Sequence, residues 1–324
     1  MNSKDLSKNR EATGVRVDPL LHWRQQQTTS LGYLDAVEYR RIPSRQAPYF
    51  SVNGFIRLLP IETVTSISQF EAIRRHKILL DHDGPRLDFY RRQLAVWFPT
   101  IPVYAISYLT PSPMERFVVT NLRTEEPSII SAKTYSQWIG HEVDWQEKAG
   151  GSYATYSQWH RTVLAHSAYF HDVDLIEEPF SAPRWIEVTR ADQRALDYTV
   201  FAFLIRSFAQ VGIYLQLAAN SGGSAHLVVH NHARQIVQCD LSTASSSLIP
   251  WIDMLTRERQ SLVRQASGTY RQRMGHAARQ LFDSHAQDAV FTDLWSHRQQ
   301  STSYESWYQS ISQEFKNRHG GPQR

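Results

Sequence analysis

Cysteine is what this 324-residue sequence has least of, with Cys239 standing alone. One thiol excludes an internal disulfide and any zinc cage built from several cysteines, and it points to a reducing, intracellular setting, cytoplasmic or nuclear. Long hydrophobic runs are missing too. The longest mainly apolar stretch, Tyr198 to Ile205, falls far short of the roughly 20 residues a membrane-spanning helix needs. The first residues, MNSKDLSKNREATG, contain no apolar segment of the kind a secretory signal requires. No period of about 20 to 50 residues repeats, which argues against a solenoid. A strong charge of one sign is also absent. Lys and Arg number 35 against 31 Asp and Glu, a net charge of +4, so the chain is neither an acidic disordered polymer nor obviously a basic binding protein.

The chain is long enough to bury a core without staples. Polar residues 1–18 and 316–324 read as flexible tails around a single domain, 19–315. Residues 19 to 85 mix short apolar runs, Tyr49 to Val52 and Phe55 to Leu59, with helical spacing over Ile67 to Leu80. A helix from Leu87 places Leu87, Tyr90, Leu94 and Trp97/Phe98 on one face and stops at Pro99. Val103 to Leu109 and Phe117 to Leu122 read as strands around Pro-Ser-Pro at 111–113. Ala168 to Glu178 is a short β-type run ended by Pro179. The spacing then predicts a helix from Ala191 to Val211 capped by Gly212, a strand from Ile213 to Leu217, a turn at Asn220 to Gly223, and a strand from Ser224 to Val229. Helices are expected over Pro250 to Ala266, Tyr270 to Ala286 and Tyr304 to Phe315, with a β-type run from Ala289 to Trp295. The fold class is α+β: a mixed sheet flanked by helices, with a helical insertion before the last strand.

Two places carry chemistry. Asp172 and Asp174, two apart on a strand, share a face, and a cation between them would relieve their repulsion. Mg²⁺, which takes a few carboxylates and leaves other positions to water and phosphates, suits such an open edge. A second Asp-x-Asp, Asp81 and Asp83, sits at a Gly-Pro turn and reads as structural. Downstream, Ser221, Gly222 and Gly223 form a small-residue turn whose backbone N–H groups are expected to be free to meet an anion. Ser224 and His226 follow on one face of the outgoing strand. Together these would set metal carboxylates and phosphate donors on one surface.

In that order the residues resemble the archaeo-eukaryotic primase superfamily. The matching segments are Tyr169-Phe170-His171-Asp172-Val173-Asp174, the Ser221-Gly222-Gly223 turn with Ser224-Ala225-His226, and Val290-Phe291-Thr292-Asp293. FYRRQLAVWFP, starting at Phe89, and ERFVVTN, starting at Glu115, are looser matches, and the likeness spans roughly 87–300. The turn is one residue shorter than in many members, and the zinc knuckle of many small subunits has no cysteines to build it. The resemblance implies a nucleotidyltransferase, a DNA primase or primase-polymerase working in replication on single-stranded DNA with NTP or dNTP. It implies two Mg²⁺ or Mn²⁺ ions on Asp172, Asp174 and Asp293. Ser221, Gly222, Gly223, Ser224, His226 and Arg298 would bind the nucleotide. A large primase subunit, helicase or polymerase would be the partner. Asp240 competes with Asp293 for the third carboxylate; Asp293 is favoured because the family places that residue after a helical region. A metal-dependent nuclease and a non-catalytic primase-like binding subunit are the alternatives.

Zinc held by His226, His230 and His232 is a weaker reading, since no acid or cysteine completes the set. Charge, however, is concentrated. Between Leu255 and Gln280 lie Arg257, Arg259, Arg264, Arg271, Arg273 and Arg279 against Glu258 alone, more than the net charge of the whole chain. Arg257, Arg264, Arg271, Arg273 and Arg279 are therefore candidate contacts to a nucleic-acid backbone.

Overall fold

The computed structural model describes residues 19–20, 32–41, 50–62, 67–110, 116–124, 126–131, 133–135, 160, 169–177, 182–191 and 195–309. The expected tails and the second half of the expected last helix lie outside these; of that helix, 304–309 is helical. The chain forms two compact units, Met1–Val173 and Asp174–Arg324. The boundary falls inside a strand.

In the first unit, β1 (Gly32–Arg41) and β2 (Phe50–Glu62) pair antiparallel. Phe50 to Val52 and Phe55 to Leu59, from the two apolar runs seen in the sequence, thus belong to one long strand. A helical crossover follows, made of α1 (Gln69–His82), α2 (Gly84–Asp88), a wide π turn over Phe89–Gln93, and α3 (Leu94–Trp97). Ser68 caps α1 by accepting from the Glu71 N–H at 3.1 Å. The crossover delivers β3 (Val103–Thr110) parallel to β2, and β4 (Arg116–Asn121) and β5 (Pro127–Ser131) add antiparallel, giving the order β1-β2-β3-β4-β5. Leu87, Tyr90, Leu94 and Phe98 are buried, as the spacing predicts. Ala36, Ile56, Leu58, Ile106, Phe117 and Phe170 belong to one apolar cluster.

The second unit uses the same sequence of pairings. β6 (Tyr169–Glu177) and β7 (Arg184–Ala191) are antiparallel, a helical crossover brings β8 (Ser224–Asn231) parallel to β7, and β9 (Ile236–Asp240) and β10 (Gln299–Ser301) add antiparallel. This crossover corrects the sequence reading. It consists of α4 (Leu196–Arg206) and α5 (Phe208–Ser221), bent 88° at Ser207, and α5 runs straight through Gly212. Ile213 to Leu217 is therefore helical. Val211, Tyr214, Leu215 and Ala218 recur at helical spacing, and a short apolar run does not by itself distinguish strand from buried helix. No single helix among the described residues is long and apolar enough to cross a membrane.

The helices α6 (Ser245–Gln265), α7 (Tyr270–His285) and α8 (Ala289–Ser296) complete this unit. Thr269 and Gln272 form a capping box at the start of α7. The expected β-type run from Ala289 is the helix α8, which buries Phe291 and Leu294, three residues apart. Phe201 lies 5.3 Å, ring to ring, from both Phe282 and Phe291 and 5.7 Å from Trp251, so α4, α6, α7 and α8 meet on one aromatic cluster.

A buried histidine gives the first unit a testable pH response. His76 on α1 is fully buried, with Nδ1 2.7 Å from Ser107 Oγ and Nε2 2.8 Å from Thr120 Oγ1. Burial pulls its pKa down to about 4. The unfolded chain therefore takes up a proton below pH 6.5 that the folded chain refuses. Stability is complete above that pH and falls as pH drops towards 4, by up to about 3 kcal/mol from this group. In urea unfolding, His76→Gln should show a shallower loss over this window than the wild type. Equal slopes would remove His76 as the cause.

Candidate functional site

The start of β8 is where the expected donors sit, and the crossover decides what they can do. Ser221 is the last residue of α5, and Gly222 leaves the helix in the left-handed region at φ +68°. The Gly222 N–H donates to Ala219 O at 3.5 Å, the Gly223 N–H to Ala218 O at 2.8 Å and the Ser224 N–H to Pro183 O at 3.0 Å. These N–H groups close the helix and start the strand, contrary to the expected free anion cradle. Ser221 Oγ donates to Leu217 O at 2.7 Å and accepts from Trp185 Nε1 at 3.0 Å. Gly223 passes so close to Pro183 that an added Cβ would lie 1.9 Å from the Pro183 carbonyl oxygen.

Register then sorts side chains between the two faces. Leu175, Ile186, His226 and Asp240 are successive partners across β6, β7, β8 and β9, and Glu177, Arg184 and Ser224 make the next row. Partners in a row point the same way, and neighbours along a strand point opposite ways. Ser224, His226, Arg184, Glu177 and Asp240 thus share one face. Glu187 and Trp185 point to the other, where α5 lies: Tyr214 donates to Glu187 at 2.8 Å. The Asp174 N–H donates to the Tyr214 hydroxyl at 3.3 Å, and the Asp174 carboxylate accepts from the Val188 N–H at 2.9 Å.

The geometry therefore brings Ser224 and His226 together, as the spacing predicts, and turns Asp174 away from them. Alternation along β6 puts Asp172 on the same side of that strand as Asp174. Asp293 lies on the exposed side of α8, with its carboxylate 3.3 Å from His297 Nδ1. Asp240, the competing third carboxylate, is the one facing His226 across β8 and β9. Among the described residues no cluster of three or more His, Cys, Asp or Glu is placed to hold a metal.

His226 is nearly buried, with Ser224 Oγ 2.7 Å from Nε2 and the Gln238 amide nitrogen 3.4 Å from Nδ1. Trp307 Nε1 donates to Gln238 Oε1 at 2.9 Å, which leaves the amide N–H₂ facing the ring. Arg184 Nε donates towards Nε2 at 3.5 Å, so each ring nitrogen of His226 faces a donor and the Ser224 hydroxyl shares Nε2 with Arg184. Arg298 stacks over Trp295 with its guanidinium 4.1 Å from the ring centre. Cys239 is buried, which pushes its thiol up to about 12 and leaves it inert at neutral pH. The strand ends at Asn231, so His232 falls outside the row of His226 and His230 and lies against Arg190 instead.

The candidate backbone contacts divide. Arg257 pairs with Asp253, and Arg279 pairs with Asp283 at 3.2 Å while stacking over Tyr198 and Phe282. Arg273, half-buried, donates to Val263 O at 3.0 Å and ties α7 to the end of α6. Arg264 and Arg271 are exposed, with no carboxylate partner among the described residues.

Two buried polar clusters gave no signal in the sequence. Arg57 is clamped between Asp35 and Asp83, bidentate to Asp83 at 2.6 and 3.0 Å. Glu38 accepts from the Tyr135 hydroxyl at 2.6 Å and from His160 Nε2 at 2.9 Å. The Asp83 of the second Asp-x-Asp is thus structural, through an ion pair rather than a turn alone. No protein-family model matches this chain, and no curated protein matches it.

Gly223 and Gly222 should respond differently to alanine. Gly223→Ala drives a Cβ into backbone that cannot yield and should cost about 2 kcal/mol or more, against about 1 kcal/mol for Gly222→Ala, where space is open. Thermal or urea unfolding reads the difference. Equal costs would show that the Pro183 contact does not constrain β8.

Proposed function

We propose that this chain is a primase-like binding subunit that holds single-stranded nucleic acid, the non-catalytic member of the readings its motifs allow. The observation that carries this reading is the split between the two motif sets. Ser224, His226 and Arg184 gather on one sheet face, whereas Asp174 is committed to the Val188 N–H on the other. A nuclease or polymerase using Asp172, Asp174 and Asp293 needs those carboxylates to converge on one phosphate, and the engagement of Asp174 with the Val188 N–H, on the face opposite Ser224 and His226, weighs against it. The arginines of α6 and α7 supply the attraction for a polyanion. Arg264 and Arg271 project from the end of one helix and the start of the next, and such charges release counterions from a phosphate backbone.

Template-directed primer synthesis is the second reading, favoured by one observation: Asp240 faces His226 directly. One set of measurements separates the two. Purified protein is incubated with labelled single-stranded DNA, NTP or dNTP, and Mg²⁺ or Mn²⁺, and both binding and product length are measured. The expected outcome is binding with a steep salt dependence, log affinity against log salt falling with a slope of about −2 to −4, and no extension products. Oligonucleotides that disappear in Asp172→Ala/Asp174→Ala or in Asp240→Ala would overturn the binding-only reading in favour of synthesis. Template degradation without nucleotides would establish a nuclease. A wild type that shows no affinity for single strands would sink the nucleic-acid assignment altogether.

A further inference from the structure

The tip of the hairpin formed by α6 and α7 carries positive charge that no acid along the chain offsets. From Arg259 to Phe282 the sequence holds Arg259, Arg264, Arg271, Arg273 and Arg279 and no Asp or Glu. The tip is closed by contacts of its own. The Ala266 N–H donates to Leu262 O at 3.0 Å where α6 stops, Gly268 takes φ +106°, and Thr269 with Gln272 caps the start of α7. Across the turn Arg273 donates to Val263 O at 3.0 Å, which holds the start of α7 against the end of α6. Arg264 follows Val263 and Arg271 comes two residues before Arg273, so both stand on the same tip.

The other arginines of the hairpin are engaged. Arg257 pairs with Asp253, Arg279 with Asp283 and with the rings of Tyr198 and Phe282, and Arg273 with the Val263 carbonyl. Arg259 has its Nε and Nη1 shut away from water, where no external ligand meets them. Arg264 and Arg271 remain exposed, with no carboxylate partner among the described residues. Between them comes Tyr270, the first residue of α7, with 66% of its surface exposed. Tyr198, Phe201, Phe282 and Phe291 on the neighbouring helices pack ring against ring. The Tyr270 ring makes no such contact among the described residues, and its apolar faces stay in water next to two cations.

We propose that this tip is a finger that grips single-stranded nucleic acid, Arg264 and Arg271 each meeting a backbone phosphate and Tyr270 stacking on a base beside them. The proposal rests on the nucleic-acid reading above and names the element and the side chains that perform it. Guanidinium forks suit phosphate because their planar N–H groups meet two of its oxygens. An exposed ring accepts any base, since every base has a flat face, which suits binding without sequence preference. Charge alone marks the arginines; the tyrosine adds a requirement for unpaired bases, whose faces a duplex keeps stacked on one another.

The test uses the full chain and fluorescence anisotropy in about 0.1 M salt with two labelled probes of about 20 nucleotides, oligo-dT and an abasic strand with the same number of phosphates. Arg264→Gln and Arg271→Gln should each weaken both probes about fivefold and make the salt slope shallower by about 0.7, and the double variant should lose about 1.4 of slope. Tyr270→Ser should weaken oligo-dT about fivefold or more and leave the abasic strand unchanged, while Tyr270→Trp keeps the affinity for oligo-dT. A strand carrying 5-iodouracil, irradiated in the complex, should crosslink to Tyr270. All four side chains substituted this way are at the surface, and thermal unfolding at the wild-type temperature shows that the variants are folded. Wild-type affinity in the Arg264→Gln/Arg271→Gln double variant, or crosslinks that map away from the tip, would overturn the finger while leaving the binding function standing. Equal weakening of both probes by Tyr270→Ser would overturn the stacking role. Absence of binding by the wild type to either probe would overturn both the finger and the function it serves.

Discussion

The second unit depends on the approach of Gly223 to the Pro183 carbonyl. That contact, with the Ser224 N–H donating to the same oxygen, starts β8 beside β7 and fixes their register. Side chains alternate along a strand, so a shift of one residue would exchange the two faces. The register puts Ser224 and His226 on one side of the sheet and sends Trp185 and Glu187 under α5. It also explains why the glycine turn is no anion cradle: its N–H groups are used in stopping α5 and launching β8.

The two units repeat one strand grammar. In each, a hairpin leads through a helical crossover to a parallel neighbour and then to two antiparallel strands. They stabilise it differently. The first unit buries charge, with Arg57 between Asp35 and Asp83 and with Glu38 held by Tyr135 and His160. Such clusters stabilise only when fully satisfied, and losing one partner leaves a buried charge uncompensated. The second unit relies on aromatic packing around Phe201. That division leaves Arg264 and Arg271 exposed, whereas Arg57 is enclosed by its carboxylates.

Much of the architecture was legible in the residues. The apolar face from Leu87 to Phe98, the strands from Val103 and Phe117, the Asp-x-Asp strand, and the helices over 250–266 and 270–286 all appear close to where periodicity predicts them. The expected helix start at Ala191 is instead the end of β7, and two further errors share a cause. Ile213 to Leu217 and Ala289 to Trp295 are short apolar runs whose residues suit a strand or a buried helix equally, and only packing decided for helix.

By itself the sequence determined the α+β class, the pairing of Ser224 with His226 on one face, and the concentration of positive charge near the end of the chain. These are local properties, set by side-chain periodicity and composition. Only the tertiary structure decided which face each motif takes, that Asp240 stands opposite His226 in the β8–β9 register, and that α4 and α6 meet where Thr256 donates to the Ile205 carbonyl. Those relations depend on strand register and on where a bent helix pair ends, and both are set by contacts between residues far apart in the chain.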